Sequence, residues 1–248
     1  MKTLLLATAL LGSAVSAQPA DSIRAVLADA LYDAALGETL DLMEFSRFDP
    51  SDPGTAGFAR MSMEPRVLAL YEESGSTEEV LAFAAWTRRG DVAPFLARER
   101  QTGSPEYQDT VDRYLERTTP STARIEAVER VLDLMDYPAL GAAYSARYFA
   151  LLGLAMEVNE AERSVLDRYE DLITEMDQTR GDFFLDAAAG QLLGTYLTAY
   201  ASASPRELAQ FEKALRLPAA QWYFRTMPQV MLAAYDEAAV AYGESLQN

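Results

Sequence analysis

After Gln18, apolar residues recur at every third or fourth position through nearly the whole chain, and β-branched runs alternating with period two are missing. A chain patterned this way hides its apolar side chains by packing helices on helices, so the sequence predicts an all-α, multi-helix bundle. Ile23, Val26, Leu27, Ala30, Leu31 and Ala34 form the first stripe, behind Asp21-Ser22, which suits a helix cap, and ahead of Gly37, which ends it. A second helical stretch, Thr39 to Phe45, runs into Asp49-Pro50-Ser51-Asp52-Pro53-Gly54, a loop by every local signal. Phe58 to Tyr71 resumes helical spacing, with Pro65 starting a new helix or kinking this one.

Further starts carry capping boxes, in which a polar residue and an acid three positions on satisfy amides that the helix itself leaves unpaired. Ser76 to Glu79, Asn159 to Glu162 and Ser204 to Glu207 fit, and Pro205 stands at a first helical position, where its missing amide costs nothing. Ser104-Pro105-Glu106 opens a polar helix reaching Arg117, and Thr118-Thr119-Pro120-Ser121 breaks the chain before the stripe of Ile125, Val128, Val131, Leu132 and Met135. Beyond it the pattern predicts helices over 138–157, 160–179, 182–202, 205–216 and 219–246, for ten to twelve in all. The expected core includes Leu27, Leu31, Leu132, Tyr148, Leu152, Leu193, Leu197, Phe211 and Trp222, with Tyr144, Tyr148 and Phe149 at the centre of its second half.

Two matches in the same order point to an internal duplication. Leu27 to Leu31 with Ala35-Leu36-Gly37 pairs with Val131 to Met135 with Ala139-Leu140-Gly141, and Ser76 to Val80 with Phe83 pairs with Ser204 to Leu208 with Phe211. The chain then divides into a signal peptide (1–17), an N-terminal helical half (18–103), a polar connecting segment (104–123) and a C-terminal helical half (124–248). A groove for a ligand is expected between the halves.

The signal is read from Lys2, the apolar run Leu4 to Leu11 and the small residues Val15-Ser16-Ala17, with cleavage after Ala17. No later stretch reads as long and apolar enough to cross a bilayer, so a soluble periplasmic or secreted protein without a transmembrane anchor is expected. The chain has neither His nor Cys, which removes imidazole relays, His-ligated zinc, thiolate chemistry and disulfides; an exported chain of this kind must rely on its core. With 21 Lys and Arg against 38 Asp and Glu, a formal charge of −17, its surface repels nucleic acid and favours cationic partners.

The segment Ser204 to Leu246 reads Ser204-Pro205-Arg206-Glu207-Leu208 with Phe211, then Leu217-Pro218-Ala219-Ala220-Gln221-Trp222-Tyr223 and an alanine-rich last helix. It resembles the domain of unknown function 2059, a helical module of exported bacterial proteins in which a capped helix leads through a Ser-Pro-x-Gly-like turn into a final amphipathic helix. This chain lacks the glycine after Pro218 and has Leu215-Arg216 where the family has Phe-Tyr; Trp86 to Gly90 takes the corresponding place in the first half. The resemblance implies an all-helical, often duplicated fold and brings no catalytic residues.

No catalytic residue, metal ligand or cofactor is assigned. Lys213, the one lysine after the signal, sits in an ordinary charged helix pattern, and Asp49 to Asp52 lacks the alternating acids and closing glutamate of a calcium loop. Acids are too abundant for any pair to stand out, and Glu244-Ser245 lies too near the end to back a sugar cleft. Trp222-Tyr223-Phe224 point about 100° apart on a helix and cannot share one stripe, so Trp222, Tyr223 and Tyr196 are the candidate ligand or partner contacts. The expected function is a non-catalytic envelope protein binding a protein, peptide or small ligand. The alternatives are a carboxylate-based enzyme cleaving cell-wall sugar and an acidic partner or chaperone for cationic exported proteins.

Overall fold

The computed structural model describes residues 20–34, 36, 39, 57–58, 60–104, 106–156 and 163–246. They form ten helices and, among the described residues, no strand: α1 (Ala20–Asp33), α2 (Arg60–Ser74), α3 (Thr77–Thr87), α4 (Ala93–Glu99), α5 (Tyr107–Arg117), α6 (Thr122–Met135), α7 (Tyr137–Met156), α8 (Val165–Ala199), α9 (Pro205–Leu215) and α10 (Pro218–Ser245). The signal peptide and its cleavage site, Gly37, the Asp49 to Gly54 loop and the Asn159 capping box lie outside these residues.

Local signals set most of the boundaries. Both remaining capping boxes form: Ser76 accepts from the Glu79 amide and Ser204 from the Glu207 amide, each at 3.3 Å, while each glutamate accepts from its serine amide. Elsewhere the structure departs from the sequence reading. Helix α1 begins at Ala20, ahead of Asp21-Ser22, and α5 starts behind Glu106 without a side-chain cap, the Tyr107 amide donating to the Ser104 carbonyl at 2.9 Å; at Pro65, where a new helix or a kink is expected, α2 starts no new helix. The expected helices 160–179 and 182–202 are one helix of 35 residues, α8, with the Ser164 hydroxyl accepting from the Asp167 amide at its start. Gly181 costs a helix only about 1 kcal/mol relative to alanine, and packing along α7 offsets that.

Helix α7 follows α6 after the single residue Asp136, whose left-handed φ of 55° turns the chain sharply. It then lies antiparallel along α8. A side chain at Gly141 would stand 3.0 Å from the Ala188 methyl, and one at Gly153 would stand 3.2 Å from Leu172, so both glycines permit a close helix pair. Helix α10 forms the centre of the molecule and packs on α2, α3, α7 and α8.

Of the expected core, Leu27, Leu31, Leu132, Leu197 and Phe211 are buried, while Tyr148, Leu152, Leu193 and Trp222 are half-buried and pack against that core. Phe149 is corrected to the surface, 41% exposed.

Aromatic stacks join α3 and α4 to α9 and α10. Phe83 of α3 stacks on Tyr223 of α10 with ring centres 4.6 Å apart, and Phe95 of α4 stacks on Phe211 of α9 at 4.3 Å. Residues 83 and 211 are 128 apart, as are 95 and 223 and the two capping serines. Helix contacts repeat the exchange: α1 packs on α2, α3 and α4 as α6 packs on α8, α9 and α10, and α2 meets α10 as α8 meets α4.

Candidate functional site

The three residues singled out from sequence fall in one aromatic layer. Tyr223 is buried, stacks on Phe83 and donates its hydroxyl to the Ala34 carbonyl at 3.2 Å. Trp222 is half-buried against Tyr71 and Phe83, close to Gly75, where any side chain would meet its ring at 2.6 Å. Tyr196 is also buried, and its ring contacts run through Tyr137 and Phe224 to Tyr223 rather than to Trp222 directly.

Beneath that layer lies a group that sequence reasoning missed. Glu99, at the end of α4, is 2% exposed; one carboxyl oxygen accepts a hydrogen bond from Tyr200, and the other has no partner. Burial pushes its pKa up to about 7, against the smaller opposing effects of the Tyr200 bond and the Arg100 charge. Burial and the nearby carboxylate push the Tyr137, Tyr196 and Tyr200 hydroxyls well above their ordinary value. This cluster can hold or release one proton inside the core. In sequence, Glu99 stands between Arg98 and Arg100 and has the local look of a solvated surface acid.

A groove of about 430 Å³ opens between the turn after α3 and the end of α9, with Arg89 and Asp91 on one side and Gln210 and Lys213 on the other. Its lining comes from residues 89–91 and from residues 210–217. Arg89 and Asp91 close on each other through two bonds of 2.9 Å, which leaves the Lys213 ammonium as the groove's cation outside that pair.

Five of the seven exposed large apolar side chains among the described residues, Phe149, Met156, Leu166, Phe183 and Leu185, lie on the α7–α8 hairpin. An 18-residue stretch of α7 has a mean hydropathy of 1.2, yet only 22% of it is fully buried. By length and composition this helix is apolar enough to cross a membrane, which corrects the expectation that no such stretch follows the signal. Phe149 stacks on Phe184 with ring centres 5.4 Å apart, Phe183 lies beside it at 65% exposure, and Met156 is 81% exposed at the end of α7. On the packed side, Arg147 of α7 donates to Asp236 of α10 at 2.8 Å, and the Tyr169 hydroxyl donates to the same carboxylate at 3.0 Å, fixing the hairpin on the bundle.

No family model, curated protein or solved structure matches the chain. The likeness of Ser204 to Leu246 to the domain of unknown function 2059 therefore stands on those residues alone.

Proposed function

We propose that this protein is an exported, soluble, non-catalytic binding protein of the bacterial envelope that holds a polypeptide against its α7–α8 hairpin. The observation that carries this reading is the aromatic edge of Phe149 and Phe183. Single exposed apolar residues are ordinary on protein surfaces, whereas exposed aromatic rings on two neighbouring helices, linked through the buried ring of Phe184, suit a docking surface. Aromatic side chains suit such a role because each covers a large area for the loss of only two rotatable bonds. The N-terminal signal pattern supports export, and the strongly acidic surface supports a soluble hairpin rather than one lying in anionic lipid.

The two halves belong to one duplicated module in this reading, because Phe83, Phe95, Phe211 and Tyr223 exchange partners as a twofold repeat would. The chaperone-like alternative draws support from the acids along α8. The carboxylate enzyme has less, since the groove beside Lys213 is lined by one carboxylate, Asp91, already held by Arg89.

Affinity capture from envelope extracts with the mature chain as bait tests the reading. A protein retained by the wild type and lost with F149D/F183D supports it. Retention unchanged by that pair, or recovery of the wild type in pelleted lipid vesicles without a protein partner, would sink it.

A further inference from the structure

We propose that the outer face of α8 docks a cationic polypeptide segment, whose Lys and Arg side chains meet Asp171, Glu175, Asp182 and Asp186 while its apolar side chains meet Phe183 and Leu185. This rests on the reading of the hairpin as a polypeptide-binding surface and adds the chemistry of the partner.

The four acids are spaced by four, seven and four residues. At 100° and 1.5 Å per residue they fall within a stripe about 60° wide and about 22 Å long. All four are exposed. Phe183 lies about 60° beyond Asp186 on one side of the stripe and Leu185 about 40° beyond Asp171 on the other, at 65% and 43% exposure, so one partner face can meet charge and apolar surface together. Arg180 lies about 60° past Phe183, away from the acids.

Elsewhere several arginines pair with the chain's own carboxylates, as in Arg66 with Glu237, Arg147 with Asp236 and both Arg130 and Arg216 with Glu212. On the stripe, Asp171 binds Arg163 at 2.6 Å, whereas Glu175, Asp182 and Asp186 make no ion pair among the described residues. Asp171 with Glu175, and Asp182 with Asp186, are like charges one turn apart, an arrangement that weakens an isolated helix. A cationic partner converts that repulsion into attraction. A second copy of this chain would instead bring an identical acidic stripe, and anionic lipid or nucleic acid would be repelled.

Fluorescence anisotropy with three labelled amphipathic peptides, built from Leu with Lys, Leu with Gln and Leu with Glu, tests the assignment on the mature chain. The Lys peptide should bind at least about tenfold more tightly than the Gln peptide in dilute buffer, and the preference should vanish near about 0.5 M salt. The E175Q/D182N/D186N variant should lose the preference, while E126Q/E129Q/D133N, which removes three exposed acids from α6, should keep it. F183A should weaken the Lys and Gln peptides alike. Equal binding of those two peptides, both weakened by F183A, overturns the cationic assignment and leaves the binding hairpin standing. A preference that survives the α8 variant but not the α6 variant also overturns it. Binding of no peptide, or binding insensitive to F183A, overturns both.

Discussion

Trp86 donates its indole N–H to the carbonyl of Ala214 at 3.0 Å, and the two residues stand 128 positions apart, the separation that also relates Ser76 to Ser204 and Phe83 to Phe211. In the proposed duplication, equivalent positions would touch only near the axis relating the repeats, and this bond is a contact of that kind. Trp86 is 2% exposed and also stacks on Phe83. Trp86→Ala should therefore cost about 3–5 kcal/mol, the range for emptying a large buried aromatic site. Phe183→Ala, at the surface, should change stability by less than about 0.5 kcal/mol. Urea denaturation of both variants checks the contrast, and equal effects would contradict it.

Glu99 makes stability depend on pH in an unusual direction. Its folded pKa of about 7 lies above its ordinary value, so the folded state binds the proton more tightly than the unfolded chain does. Its contribution is full below the unfolded value and is lost as pH rises through about 7, amounting to about 3 kcal/mol between pH ~4.5 and pH ~8. Glu99→Gln, which keeps an acceptor for Tyr200 and has no charge to bury, should be more stable than the wild type at pH ~8 and nearly equal at pH ~5. Chemical denaturation at the two pH values decides it. A variant less stable than the wild type at the higher pH would contradict the assignment.

Glycines in α8 and α10 should respond oppositely to the same change. A methyl at Gly243 would stand 2.5 Å from Val165 and 2.6 Å from Leu154, so Gly243→Ala should destabilise by about 1–3 kcal/mol through overpacking. Gly190 has nothing within 4 Å of that position, and Gly190→Ala should stabilise α8 by about 0.5–1 kcal/mol. Thermal denaturation of the pair tests whether α10 packs against the start of α8 as described.

Signals that act within one turn were legible in the sequence: the Ser76 and Ser204 boxes, Pro205 at a helix start, and the break at Thr118 to Ser121 all appear where local chemistry places them. What depends on distant packing was not legible. Gly181 reads as an interruption, yet α7 supports the helix on both sides of it. Phe149 reads as core because its neighbours are apolar, but it stands on the outer side of a turn whose Ala146, Ala150 and Leu151 are buried, and its ring covers Phe184. The candidate surface was missed for the same reason, since the acids of α8 gain meaning only once their shared face is seen to be unpaired. Glu99 is buried by Tyr200, which lies 101 residues away.

Export should remove the first seventeen residues, because Val15 and Ala17 offer the small side chains a signal peptidase needs and Gln18-Pro19 begins a polar stretch. Intact-mass measurement on protein from the bacterial envelope should give a chain starting at Gln18. Full-length protein recovered from membranes would show that the segment is retained.

Amide hydrogen exchange of the mature chain, alone and saturated with the Leu–Lys peptide, locates the docking face helix by helix. Docking on α8 should slow exchange from Asp171 to Gly190 and in the facing part of α7 around Phe149, with little change in α3 and α9. Protection confined to the groove of Arg89 and Lys213, or spread evenly over the acidic surface, would contradict it.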